Sequence, residues 1–307
     1  MLGTSSRRRW LRDAALLTVG AALPARLHRM ASAIEPLQRV GGAKFKFSLA
    51  AYSYRDLLTG DSPKLTLEDF IRDCATMGLE GTELTSYYFP PEPSNEYLVK
   101  LKRLAFELGL DVSGTAVGND FCYPPGAERD KELNGVKQWI GHAAALDAPV
   151  IRIFSGNAKD SQSDEAAHRL AVAGIEECCA VAGEHGVMLA LENHGGLTNT
   201  ADGMLKLVHD VQSPWFGVNL DTGNFRTSDP YGDLARLAPF AVNVQVKVMM
   251  QPEGAAKSQA DYARLAKMLA DVGYRGYIVL EFEEDEDPRV ACPRHLGEMR
   301  AAFTPLG

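Results

Sequence analysis

Eight short apolar runs alternate with amphipathic helical segments, and this alternation limits the possible folds more than any other feature of the chain. The runs are Phe45–Ala50, Gly81–Leu84, Leu110–Thr115, Val150–Phe154, Val187–Leu191, Phe216–Leu220, Val242–Val248 and Tyr277–Phe282. Helical patterns fall between them at Leu67–Met77, Glu96–Leu108, Lys131–Leu146, Asp164–His185, Ala201–Val211, Tyr231–Leu237 and Tyr262–Val272. A last one, Arg289–Phe303, follows the eighth run. Strands joined by helices run parallel, because the crossover returns the chain to the same edge. Eight such units in 307 residues fit a closed (β/α)8 barrel, typically ~250 residues, better than an open sheet. The apolar fraction, 46%, is enough for a core of that size.

Local signals mark several boundaries. Thr66 precedes a helical run with Asp69 three residues on, the spacing of a capping box. Gly78, Gly109, Gly186 and Gly273 each follow a helix, where the cap favours a residue free at positive φ. No GxGxxG or Walker loop follows the first strand, which argues against a nucleotide-binding open sheet.

The first residues carry a different message. Arg7-Arg8-Arg9-Trp10-Leu11 precedes a moderately apolar stretch, Ala14 to Ala25, and Ala31-Ser32-Ala33 offers small residues for a signal peptidase. This resembles a twin-arginine export signal read through Arg7 and Arg8, and it implies a periplasmic or otherwise exported protein, folded before transport. The apolar run is too short for a permanent membrane span. The expected organisation is a signal at 1–33, a linker at 34–44 and a single catalytic barrel at 45–307.

Charge and cysteines narrow the function classes. Residues 1–33 hold six arginines against one aspartate. Of a total of −8, the remainder therefore carries about −13. Nucleic-acid binding needs the opposite balance. Cys74, Cys122, Cys178, Cys179 and Cys292 form no CxxC pair and are odd in number. They read as packing residues and not as a disulfide framework.

In such barrels the chemistry lies at the C-terminal ends of the strands. There the chain places Glu192 after the fifth run, Asp221 after the sixth, Gln245 and Lys247 in the seventh and Glu281 in the eighth. Neighbouring strands are about 4.8 Å apart, so these groups converge. Three carboxylates brought together raise one another's pKa unless a cation neutralises them, and a divalent metal is the economical cation.

At these positions the sequence resembles the sugar phosphate isomerase/epimerase family of the xylose-isomerase-like superfamily. The matching motifs are LENHGG at Leu191–Gly196, NLDTGN at Asn219–Asn224, VLEFEEDEDP at Val279–Pro288 and GTELTSYYFP at Gly81–Pro90. The resemblance spans residues 45–303. It implies Glu192, Asp221 and Glu281 as metal ligands, with Glu192 and Glu281 also moving protons. The family's fourth ligand is a strand-7 histidine; this chain has Gln245. An all-oxygen set of that kind favours Mn2+ or Mg2+ over Zn2+. The histidine-rich zinc nucleases of the same superfamily are a poorer match, since only His194 of the seven histidines follows a strand.

His194, two residues past Glu192, and Lys247, two past Gln245, share the inward faces of their strands by period two and are further catalytic candidates. Glu83, Arg152, Asn224 and Tyr52 are candidate substrate contacts, with Tyr54, Tyr87 and Tyr88 as pocket walls. The implied reaction is proton abstraction next to a carbonyl of a sugar or sugar derivative, through an enediolate. A 3-keto-glycoside lyase or hydratase using the same site, and a non-catalytic sugar-binding barrel, stay open. Expected partners are a small carbohydrate and the export machinery, without nucleic acid or a stable membrane span; homo-oligomerisation is left open.

Overall fold

In the computed structural model, which describes residues 34–307, eight parallel strands close into one barrel. The export signal expected in residues 1–33 lies outside the described residues. The strands are β1 (Lys44–Ala50), β2 (Gly81–Thr85), β3 (Asp111–Ala116), β4 (Val150–Ile153), β5 (Met188–Glu192), β6 (Phe216–Asp221), β7 (Ala241–Lys247) and β8 (Arg275–Glu281). The helices that follow them are α1 (Leu67–Thr76), α2 (Asn95–Glu107), α3 (Ala127–Leu146), α4 (Asp164–His185), α5 (Ala201–Asp210), α6 (Pro230–Leu237), α7 (Tyr262–Asp271) and α8 (Pro288–Phe303). Closure comes from β1 on β8, in register from Lys44 opposite Arg275 to Leu49 opposite Leu280. The (β/α)8 reading of the sequence is correct, each boundary lying within a few residues of its expected place.

The caps show why. Thr66 and Asp69 form the reciprocal capping box at the start of α1, and Ser94, Ser163, Thr200, Asp229, Asp261 and Asp287 cap α2, α4, α5, α6, α7 and α8. Each satisfies an orphan N–H of a first helical turn. Gly78, Gly109, Gly186 and Gly273 all sit at positive φ, as their places after helices require. The end of α3 has no glycine, and there Asp147 takes the left-handed conformation, at φ 66°.

In residues 34–44, expected to be a linker, Leu37 and Arg39 bond to the carbonyls of Pro239 and Ala241 at the foot of β7, and Lys44 belongs to β1. The main core lies between barrel and helices: Leu49, Ile151, Leu189, Leu191, Val244, Val246, Ile278 and Leu280 are wholly buried. All five cysteines are free and buried within the packing. Tyr54, expected on a pocket wall, is a core residue packed edge-on against Phe70 at 5.1 Å. Among the described residues no helix is long and apolar enough to cross a membrane.

Candidate active site

The inside of the barrel is polar where branched apolar side chains are the usual filling. Parallel register sets Glu192 opposite Asn219, Asp221 opposite Gln245, Asn219 opposite Asn243 and Glu281 opposite Lys247. Because side chains alternate along a strand, Val244 and Val246 face the helices while Asn243, Gln245 and Lys247 face inward. The result is two tiers of polar groups.

The lower tier is a closed hydrogen-bond network. Glu83 accepts from Gln245 Nε2 at 2.6 Å and from Asn243 Nδ2 at 2.9 Å. Asn243 also donates to Asn219 Oδ1 at 2.9 Å, and Asn219 donates to Gln245 Oε1 at 2.6 Å. All four are buried. Burial, seconded by the charge of Glu281, pushes the Glu83 carboxyl up to about 7, against the two amide donors. Glu83, expected to touch substrate, has both carboxyl oxygens engaged by Gln245 and Asn243 in this tier.

The upper tier holds the charges. Lys247 Nζ lies 2.6 Å from Glu281 Oε2, 2.8 Å from Glu283 Oε1 and 3.4 Å from Asp221 Oδ2. Arg152 Nε lies 2.9 Å from Glu192 Oε2, while Asn224 Nδ2 donates to Glu192 Oε1 at 2.9 Å. The Arg152 guanidinium stacks on Phe154 at 4.1 Å. These surroundings drive the two glutamates apart. Burial raises Glu192 to about 7 despite Arg152. For Glu281 burial also acts upward, but the Lys247 ammonium outweighs it and keeps that carboxyl below its ordinary range. Burial, with Glu192 and Glu281 adding to it, pushes Asp221 well up against the pull of Lys247.

His194 does not follow Glu192 inward. The strand ends at Glu192, so period two no longer applies. His194 sits exposed on the rim against Phe154, ring centroids 4.5 Å apart, and desolvation together with Arg152 lowers its pKa. Tyr52 flanks the upper tier, with Lys247 Nζ 5.9 Å from its ring centre.

Sequence reasoning passed over several residues that hold this geometry. Asn193 exchanges two bonds with the backbone of Asp221, each 2.9 Å, pinning the end of β6. Thr222 accepts from the Lys247 N–H at 3.0 Å and so pins the end of β7. Asn219 and Asn243 complete the lower tier, and Glu283 shares Lys247. A legible signal existed for Asn219 and Asn243: each lies two residues from a chosen residue on its own strand, hence on the same face; Glu283 lies past the end of β8.

The expected ligands do not, in this arrangement, make a cage for a divalent ion. The Gln245 oxygen accepts from Asn219 and its nitrogen is held by Glu83; Glu192 is tied to Arg152 and Asn224; Lys247 stands between Glu281 and Asp221. Among the described residues no three His, Cys, Asp or Glu side chains stand close enough to hold one ion. One atom argues the other way: Asp221 Oδ2 is buried with no hydrogen-bond donor, as a metal-seeking oxygen would be.

A small cleft opens here, lined by Gly223, Asn224, Lys247, Met249, Glu281 and Glu283. Met249, in its lining, belongs to a two-residue antiparallel ladder, Met249–Met250 with Ser258–Gln259, that the sequence did not announce. A larger groove, about 590 Å³, lies at the opposite end of the barrel beside Lys46, Phe106 and Tyr277. It contains none of the convergent groups.

A family model described as xylose isomerase-like TIM barrel matches residues 71–300. No curated protein matches the sequence. Among solved structures, a D-psicose 3-epimerase in the presence of D-fructose superposes with a TM-score of 0.72 at 16% identity, over 84% of this chain and 99% of its own. An L-ribulose 3-epimerase gives 0.70 at 16%, over 85% and 95%. The 3-keto-D-glucoside 4-epimerase from E. coli, in its apo form, gives 0.64 at 16%, over 84% and 99%. At such identities the likeness is one of fold.

Proposed function

The chain belongs to the xylose isomerase-like TIM barrel family, and we propose that it is a sugar isomerase or epimerase working by proton transfer at a carbon next to a carbonyl. One observation carries this reading: two buried carboxylates at the C-terminal ends of their strands, Glu192 on β5 and Glu281 on β8, are paired with different cations, Arg152 at 2.9 Å and Lys247 at 2.6 Å. A general acid or base works best with a pKa near the working pH; Glu192, near 7, has one. Glu281 stays ionised beside Lys247 and can take a proton from the other face. Asn224 orients Glu192, and Arg152 limits the charge that builds up there.

In the reaction a C–H bond breaks and its electron pair forms the C=C of an enediolate, while the carbonyl π pair moves onto oxygen. Return of the proton to the other face gives an epimer; return to the neighbouring carbon, with the hydroxyl proton passing to the former carbonyl oxygen, gives an isomer. With a leaving group β to the carbanion the same start ends in elimination, and Lys247 or His194 can protonate what departs. Names of neighbours that act on free ketoses and a keto-glucoside support an unphosphorylated sugar, cyclitol or oxidised glycoside as substrate. Tyr52, Arg152, Asn224 and His194 would contact it.

A second reading adds Mn2+ or Mg2+ on Glu192, Asp221, Gln245 and Glu281. It is favoured by Asp221 Oδ2, which is buried without a hydrogen bond and has only the Lys247 ammonium, at 3.4 Å, beside it. Bound there, such an ion would polarise the carbonyl as a Lewis acid. That reading requires Gln245 to give up Glu83 and Lys247 to withdraw.

Incubation in D2O with a panel of ketoses and 3-keto-glycosides tests the proposal. Deuterium should enter the carbon next to the carbonyl of at least one compound. Thermal stabilisation by a sugar with no exchange in any of them, with or without added Mn2+, would leave a binding barrel instead.

We also propose that Arg7 and Arg8 direct twin-arginine export. The double substitution Arg7→Lys, Arg8→Lys should retain the protein in the cytoplasm, followed by fractionation and blotting. Unchanged periplasmic delivery would refute it.

A further inference from the structure

We infer that Lys247 is the resident cation of the carboxylate cluster and excludes a divalent ion from Asp221 and Glu281. Its catalytic consequence rests on the proton-transfer reading above; its binding consequence does not.

Three independent features hold the ammonium in place. Its contacts run to Glu281, Glu283 and Asp221 at 2.6, 2.8 and 3.4 Å, so the head is surrounded by oxygens. Its stem is seated against Gly223, where a Cβ would fall 2.5 Å from Lys247 Cγ and 2.7 Å from its Cβ. Only a glycine leaves the stem that path. Its backbone N–H is pinned by Thr222. The head therefore sits among the acids because the strand, the turn and the acids all put it there.

The lower tier withholds the remaining expected ligand. Both Glu83 oxygens accept, Oε1 from Gln245 Nε2 and Oε2 from Asn243 Nδ2, so Gln245 presents its nitrogen to Glu83. The Gln245 oxygen then meets Asn219, whose own oxygen takes the amide of Asn243. Turning that oxygen toward the cleft breaks two buried bonds and strands their partners. A divalent ion entering beside the ammonium would meet like-charge repulsion and three ligands already engaged.

Lys247 can supply what the ion would otherwise supply. As the C–H pair moves into the C=C bond and charge gathers on the former carbonyl oxygen, an ammonium donating to that oxygen stabilises it. When the proton returns to carbon the charge disperses. No electron acceptor enters or leaves.

The test is Mn2+ titration, followed by electron paramagnetic resonance, of the full-length wild type and of Lys247→Met and Lys247→Gln after EDTA dialysis. Metal content as purified is measured by mass spectrometry. Wild type should carry well under one divalent ion per chain and bind Mn2+ weakly. Both variants, relieved of the like charge, should bind it about tenfold more tightly or better. One Mn2+ bound tightly by wild type, with no gain in either variant, overturns the assignment. Should neither variant fold, the wild-type titration decides alone: tight binding overturns, weak binding supports. Proton exchange by wild type should be unaffected by EDTA; exchange abolished by EDTA and restored by Mn2+ also overturns it. If no substrate exchanges under any condition, the functional reading falls while the titration still decides the place of Lys247.

Discussion

Glu192→Gln and Glu281→Gln should each lower turnover by about 10²–10⁴, the usual worth of a general acid or base, while the barrel stays folded. Both substitutions keep shape and one oxygen and remove the proton acceptor. They should differ in detail. Glu192→Gln deprives Arg152 of its carboxylate partner, whereas in Glu281→Gln the Lys247 ammonium still has Glu283 and Asp221 within reach. If each glutamate serves one face, one variant continues to exchange the substrate proton with solvent deuterium without completing the reaction. Solvent deuterium incorporation measured beside turnover in wild type and both variants reads this directly. Full exchange and full turnover in both would reduce these residues to charges that shape the cleft.

The second large effect concerns stability. Glu83→Leu removes the acceptor for Gln245 Nε2 and Asn243 Nδ2 and leaves both donors buried without partners, at about 1–3 kcal/mol each. A net loss of about 3 kcal/mol should lower the melting temperature by roughly 5 °C for a chain of this size. The pH dependence provides a signature. Burial raises Glu83 from 4.5 to about 7, so the folded state binds the proton more tightly than the unfolded chain. The Glu83 contribution is therefore fully present below about 4.5 and declines as pH rises toward 7. Part of the wild-type decline over that window should vanish in Glu83→Leu. A melting temperature unchanged by the substitution would mean that the lower tier does not tie the barrel together.

How much of this could be read without a fold depends on the range of the interaction involved. Caps at Thr66 and Ser163, glycine stops at Gly109 and Gly273, and the alternation of β7 are local: each depends on a backbone geometry set within a few residues. The sequence alone therefore determined the eight strand–helix units, and with them which carboxylates stand at strand ends. His194 shows the limit of the local rule, since period two predicts its direction only while the strand continues, and β5 stops at Glu192.

What the tertiary structure decided was the pairing of those groups. Glu83 and Gln245 are 162 residues apart and meet only because the barrel closes. Which acid receives Lys247, which receives Arg152, and which amide atom Gln245 gives to Glu83 all follow from strand register and from the shape of a polar interior. No spacing in the chain encodes those choices. Buried charge is settled by its nearest opposite charge and hydrogen-bond donor, and in a closed barrel these neighbours come from strands distant in sequence.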